Sequence, residues 1–253
     1  MDVRELTATG DLWAASKLLA GIWPPTDPMP YEMLRVIQHL GGYISGAYDG
    51  DTMIGACAAF PAADGSLHSH ITGVTTRGKG AGLAIKRHQR AWALSRGVRV
   101  ITWTFDPLVR RNAYFNLAKL AARPAEYLTD FYGDMPDELN AGDPSDRLLV
   151  TWDLGTPAVA AAVEGTPPAA VAAEGCAALT EGPDGRPVSR DPEGAARLTV
   201  GTPADIAALR LDDPPVALAW RHAQRAALGG ALAAGYHVTG FARSGHYLLE
   251  VSA

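Results

Sequence analysis

Residues 74–83, Val74-Thr-Thr-Arg-Gly-Lys-Gly-Ala-Gly-Leu83, place a glycine-rich turn between an apolar strand and a long basic helix. Before the turn, Leu67-His-Ser-His-Ile-Thr-Gly-Val74 reads as a strand; after it, Ala81 to Arg96 reads as a helix with Leu83, Ile85, Ala91, Trp92 and Leu94 available for packing. A helix that starts directly after such a turn leaves its first backbone N–H groups without partners and presents the positive end of its dipole. Small residues in the turn let an anion come close. The expected ligand carries a phosphate or pyrophosphate. Local charge agrees: no Asp or Glu occurs between Gly65 and Phe105, whereas Arg77, Lys79, Lys86, Arg87, Arg90, Arg96 and Arg99 are all basic, in a chain of net charge −5.

The spacing of the glycines disfavours two common phosphate turns. A P-loop requires Lys-Ser or Lys-Thr after its second glycine, which is missing, and Gly78, Gly80 and Gly82 give GxGxG rather than the dinucleotide GxGxxG. What remains, Arg77-x-x-Gly80-x-Gly82 after a strand ending in Val74, resembles the pyrophosphate turn of the GNAT acyl-CoA N-acyltransferase superfamily. The resemblance implies that Val74, Arg77, Gly78, Lys79, Gly80, Ala81 and Gly82 hold an acyl-CoA, acetyl-CoA by default. It also implies that the basic helix serves the 3′-phosphate and pyrophosphate. Taken singly, Lys86, Arg87 and Arg90 fit a solvated helix face as well.

The order of elements agrees with that resemblance. Val3 to Leu6 reads as a strand, Thr9-x-Asp11 opens a helix to about Gly21, and Tyr31 to Leu40 reads as a second helix ending at Gly41-Gly42. Tyr43 to Tyr48, Thr52 to Phe60 and the Leu67 strand follow through tight turns as an antiparallel meander. Beyond the basic helix come a strand at 98–105, a helix from about Asn112 to Ala121, a strand near Glu126 to Tyr132, and a strand from Leu148 to Leu154. The class expected is α+β: a mixed, mostly antiparallel sheet with flanking helices, whose parallel pair is formed by the Leu67 and Val98 strands. In the superfamily that pair splays to admit the pantetheine arm.

Composition changes at Gly155. Residues 155–176 are rich in Ala, Gly and Pro and read as a linker or a weakly packed helix, which separates a domain over 1–154 from a C-terminal β-α-β-β unit over 177–253. Trp220-Arg-His-Ala-Gln-Arg225 and Gly235-Tyr-His-Val-Thr-Gly-Phe241, together with Phe105-Asp-Pro107, Arg111-Asn112, Phe115-Asn116 and Phe131-Tyr-Gly133, resemble a two-part GNAT branch. So small a C-terminal unit needs a partner for its core, in its own chain or in a second copy, which makes a homodimer an expectation.

Hydrophobic residues make up 47% and charged residues 19% of the 253 positions, enough for one large or two modest cores. No apolar run is long enough to span a membrane, the N-terminal residues show no secretory signal, and a cytoplasmic location is expected. A pI near 5.8 argues against nucleic acid. Cys57 and Cys176 suggest neither a disulfide framework nor a zinc site, and no metal is expected.

An amine attacking a thioester must lose a proton, and the departing thiolate must be stabilised or protonated. Strand alternation puts His68 and His70 on one face, directly upstream of the turn, and imidazole titrates in the right range. Their spacing is similar to that of the arylalkylamine-acetylating GNAT branch, where such histidines relay the substrate proton. The tyrosine that often faces the CoA sulfur in GNAT enzymes is replaced by Leu117, leaving Tyr114 and Tyr132 as candidate acids, though either also suits a buried aromatic role. Asp106 at a strand end could hold a substrate ammonium. Asn112 and Asn116, four apart, could bind cofactor amides or merely face solvent. The loops around Trp23–Pro30 and Gly133–Asp146 would choose the acceptor, a small amine or amino acid, with Trp23 as a candidate contact. The rival reading is a CoA-binding regulatory or assembly module without turnover.

Overall fold

The chain forms two units, residues Met1–Trp103 with Asp153–Thr156, and Thr104–Trp152 with Pro157–Ala253. The computed structural model describes residues 1–75, 78–133, 135, 142–192 and 194–251. In the first unit, strands β1 (Asp2–Glu5), β2 (Tyr43–Asp49), β3 (Thr52–Pro61), β4 (Leu67–Val74) and β5 (Val100–Phe105) are neighbours in that order. β1 to β4 are antiparallel, and β5 joins β4 in parallel. Helices α1 (Thr9–Ile22) and α2 (Tyr31–His39) cover one face, where Leu12, Leu19, Leu34 and Ile37 pack with Ile44, Ala56 and Ala58 in one buried cluster. Small residues on β3 and β4 let the helices come close: a Cβ at Gly73 would lie 2.6 Å from Ile22 and 3.0 Å from Trp23. Helix α3 (Ala81–Ser95) buries Ile85, Trp92 and Ala93 and contacts β2, β3 and β4.

The second unit starts with α4 (Arg110–Ala113), which runs into a π-helical segment, Tyr114–Lys119, and ends at Ala121 with φ +57°. Strands β6 (Arg123–Leu128) and β7 (Arg147–Asp153) then pair antiparallel. Helix α5 (Pro157–Val163) buries Val159, Ala162 and Val163, so the first part of the stretch read as a linker is a packed helix. Strands β8 (Cys176–Glu181), β9 (Pro187–Ser189), β10 (Arg197–Gly201), β11 (Tyr236–Ala242) and β12 (His246–Val251) form a five-stranded sheet in the order β11-β12-β10-β8-β9. Helices α6 (Ile206–Asp212) and α7 (Pro214–Gln224) start at aspartate caps: Asp205 accepts from the amides of Ala207 and Ala208, and Asp213 from that of Val216. Prolines 214 and 215 sit where a helix needs no N–H donor. A π-helical segment, Arg225–Gly229, leads on to α8 (Gly230–Ala233).

This corrects the expected organisation. The break does not fall at 154, and the C-terminal part is larger than a β-α-β-β unit, with a five-stranded sheet and the additional helix α6. The reason is electrostatic as well as apolar. Asp106, only 8% exposed, accepts a two-pronged hydrogen bond from Arg221 at 3.0 Å on each oxygen and another from Arg210 at 2.5 Å. Both guanidinium groups also reach Asp143 at 2.8 Å. Nearby, Asp146 accepts from Arg225 and from the Tyr127 hydroxyl. Residues far apart in sequence thereby become one folded unit.

Burial by itself would raise the Asp106 pKa, but Arg221 and then Arg210 overcome it and hold the carboxyl well below the usual carboxylate range. The stability that this contributes is present in full above about pH 4, the ordinary unfolded value, and is lost as the pH falls toward the folded one. Arg221→Met should therefore destabilise the protein by about 3–5 kcal/mol at pH 7, since it strips a buried carboxylate of its main partner. Denaturant titration at pH 7 and pH 3 checks this, with a smaller loss expected at pH 3. A chain ended at residue 154 lacks Arg210, Arg221 and Arg225 and should aggregate or melt well below the full-length protein.

Candidate active site

The register of β4 against β3 slips by one residue: Ala58 faces Ile71 and Ala59 faces Ser69, leaving His70 as the extra residue of a bulge. The bulge sorts the side chains of β4. Ser69 and Thr72 point to the α3 side, where the Ser69 hydroxyl accepts from Lys86 at 3.0 Å and Gln89 at 3.1 Å, and Thr72 donates to the Cys57 sulfur at 3.2 Å. His68 and His70 both lie against the ring of Phe60, with centroids 5.5 and 5.7 Å away. His68 Nδ1 is 3.0 Å from the Thr102 hydroxyl on β5. Burial lowers the pKa of both imidazoles, and His68 is lowered further by His70 and by the Lys86 ammonium. Near neutral pH both rings are therefore uncharged and able to accept a proton.

His70 stands on the wall of a groove of about 550 Å³ formed by Pro28, Met29, Met33, Val36, Ile37, Leu40, Phe60 and Pro61. Among the described residues no charged side chain lines it. The groove exists because α2 is apolar on more than one side: Leu34 and Ile37 face the core, while Met33, Val36 and Leu40 remain exposed. That excess of apolar residues over a single stripe was a sequence signal for a binding face. Trp23, read as an acceptor contact, instead packs its ring over Gly73 and against the α1–α2 core, and the groove is lined by the loop after it.

Beyond His68, β4 leaves its parallel neighbour. The β4–β5 register consists of Leu67 with Ile101 and His68 with Thr102, and β4 then continues to Val74 without β5 partners. The two strands part beyond that pair. Between Val74 and α3, Gly78 and Gly80 adopt φ +84° and +76°, and a Cβ on either would meet nothing within 4 Å. Glycine is needed there for its dihedral and not for lack of space. Helix α3 has no side-chain cap and no acidic residue in its first turn, so the amides after Gly80 are available to an anion. Lys79 pairs with Asp49 at 2.5 Å, with both side chains half-exposed. Arg77 lies outside the described residues.

The basic set on α3 disperses. Lys86 is 4% exposed beneath the sheet, hydrogen-bonded to Ser69 and Gln89 and 4.0 Å from the centre of the Trp103 ring, with burial pushing its pKa down to about 8. Arg90 donates to the Leu154 carbonyl at 2.8 Å, and Arg96 stacks on Trp92 at the far end of the helix. With a rise of about 1.5 Å per residue, that end is some 20 Å from the turn. Lys86 and Gln89 share the helical stripe of Ile85 and Trp92, a spacing that already put them on the packed side.

In the second unit Asp106 is neutralised by two arginines and cannot serve as a ligand for an ammonium group. The π-helical segment takes Asn116 into the interior while Asn112 stays exposed, so the two do not act as a pair on one face. Tyr132 lies in a turn after β6 rather than in a strand, with its hydroxyl 3.2 Å from that of Thr104. Tyr114, half-buried, lines a basic pocket described below. Among the described residues no group of three or more His, Cys, Asp or Glu could hold a metal ion, and no helix is long and apolar enough to cross a membrane.

The coupling of Lys86 to His68 is open to measurement. In an NMR titration both His68 and His70 should titrate below the ordinary value of about 6.5. Lys86→Met should raise the His68 pKa and leave that of His70 unchanged, because only His68 feels the ammonium.

No protein-family model matches the sequence, and no curated protein does. Solved structures do match. The ribosomal-protein-alanine N-acetyltransferase of Brucella melitensis superposes with a TM-score of 0.51 at 17% identity, over 60% of this chain and 99% of that one. The ribosomal-protein-S18-alanine N-acetyltransferase of Escherichia coli gives 0.50 at 14% identity, over 61% of this chain and 94% of its own. At such identities the likeness is one of fold, and over about 60% of its length the chain has the fold of the GNAT acyl-CoA N-acyltransferases.

Proposed function

We propose that the protein is an acyl-CoA-dependent N-acyltransferase that moves an acyl group, acetyl by default, directly to the amine of a small acceptor with an apolar body. The observation that carries this reading is His70, an uncharged, half-buried imidazole on the wall of an apolar groove. It sits on the strand that leads into the uncapped turn of α3. The fold relatives support an amine acceptor, since both are named for acetylation of an alanine of a ribosomal protein.

The turn fits an acyl-CoA: its left-handed glycines and free first-turn amides suit a pyrophosphate, and the splayed edge of β4 offers backbone groups to an extended amide-bearing arm. When bound, the acyl-CoA supplies a thioester carbonyl as the electrophile. His70 accepts the proton of the attacking amine, and His68, held by Thr102, supports it on the same Phe60 ring. A thiol is acidic enough, with a pKa near 8.5, for the sulfur to depart as thiolate. The acceptor body is apolar because a carboxylate in the groove would be desolvated with no cation lining it among the described residues. Arylalkyl and alkyl amines are therefore favoured over amino acids.

Thiol release from acetyl-CoA with a panel of amines tests the reading. Turnover should be found with phenylalkyl or medium-chain alkyl amines and be weaker with free amino acids. CoA binding without thiol release across the panel would instead identify a regulatory CoA-binding module. Replacing His68 and His70 together by Gln should lower the turnover rate by ~10²-fold or more with CoA affinity nearly intact, and the parent rate should fall as the pH drops through the lowered imidazole pKa. Gly80→Val, which forces a branched side chain into the left-handed region, should weaken CoA binding at least tenfold, about 1.4 kcal/mol, in a protein whose circular dichroism is unchanged.

A further inference from the structure

The second unit carries a pocket that the acyl-transfer reading does not use. Its volume is about 540 Å³, and its lining is Arg110, Arg111, Tyr114, Lys119, Ala204, Phe241 and Arg243. Four of these seven side chains are cations, in a chain whose net charge is −5. Gathering four positive charges around one concavity is electrostatically unfavourable unless an anion answers them. Glu181 reaches Arg110 at 3.8 Å. Among the described residues Lys119 and Arg243 form no salt bridge, and both are exposed.

The pocket is a built feature. Arg110 is fixed by hydrogen bonds to the hydroxyl and carbonyl of Thr202. It also packs on Gly245, where a Cβ would lie 2.2 Å from its Nε. Its charge is felt nearby: the His246 pKa is lowered by burial and then by Arg110. The widened π-helical segment carries Tyr114 and Lys119 at its two ends and presents both to the pocket, and Phe241, itself buried, supplies an aromatic floor. Arginines and aromatic rings around one concavity bind planar, negatively charged molecules by charge and by stacking.

We propose that this pocket binds a nucleotide-like polyanion, a planar base bearing two or more phosphate charges. Lys119 and Arg243 meet the phosphates, and Tyr114 meets the base. The ligand proposed is a free nucleotide, held independently of the acyl-CoA, and the proposal stands whether or not the protein turns over.

Calorimetric titration of the full-length protein with ADP, ATP and inorganic pyrophosphate tests it. The parent should bind ADP and ATP with an affinity that falls as salt is raised. The double variant Lys119→Glu/Arg243→Glu, altered at exposed positions, should lose at least tenfold for all three probes. Tyr114→Ala should weaken ADP about tenfold and leave pyrophosphate unchanged. Repeating the ADP titration in saturating coenzyme A separates the two ligands: retained binding supports a free nucleotide, and abolished binding assigns the pocket to the cofactor and overturns the proposal. The proposal is overturned if the folded parent binds none of the probes, if the double variant binds them as the parent does, or if Tyr114→Ala weakens pyrophosphate as much as ADP.

Discussion

The first unit depends on a parallel ladder that is kept very short. β4 and β5 share register only at Leu67–Ile101 and His68–Thr102, after which β4 continues with one edge lacking its sheet neighbour. Backbone amides and carbonyls left in this way need other partners, which water or a bound ligand can supply. The bulge at His70 belongs to the same strand. It turns one side of β4 toward Lys86 and Gln89 and the other toward Phe60 and the groove.

The two faces of β4 have opposite characters, and the contrast is functional in the proposed reaction. Below the sheet, Lys86, Ser69, Gln89 and Cys57 form a buried polar cluster in which the ammonium is satisfied by hydrogen bonds and by the Trp103 ring. Above it, both histidines lie against Phe60, and His70 also faces the apolar residues of α2 and its preceding loop. Burial disfavours the imidazolium form of both histidines, and the Lys86 ammonium adds to this at His68 alone.

The second unit is organised by charge. Asp106, Asp143 and Asp146 are matched by Arg210, Arg221 and Arg225 from the helices beyond residue 205. Buried pairs of this kind tolerate loss of a partner poorly, and their weight lies in fixing one arrangement of the chain. The same unit gathers four cations around its pocket, of which Lys119 and Arg243 are exposed and form no salt bridge among the described residues.

The sequence by itself determined the elements of the first unit. Its meander, its two opening helices and the strand–turn–helix at 67–96 follow from alternation, helical period and glycine dihedrals, all of which act over a few residues. It also determined that an anion could approach the start of α3, because uncapped amides and left-handed glycines are local properties. Only tertiary structure decided the rest. Whether Lys86 meets solvent or Ser69, and whether Asp106 meets a ligand or Arg221, depends on residues 17 to 115 positions away, and no local pattern encodes the pairing. The π-helical segment that separates Asn112 from Asn116 and the bulge that re-aims β4 are each a one-residue change of period, imposed by packing and invisible to a reading that assumes a regular one.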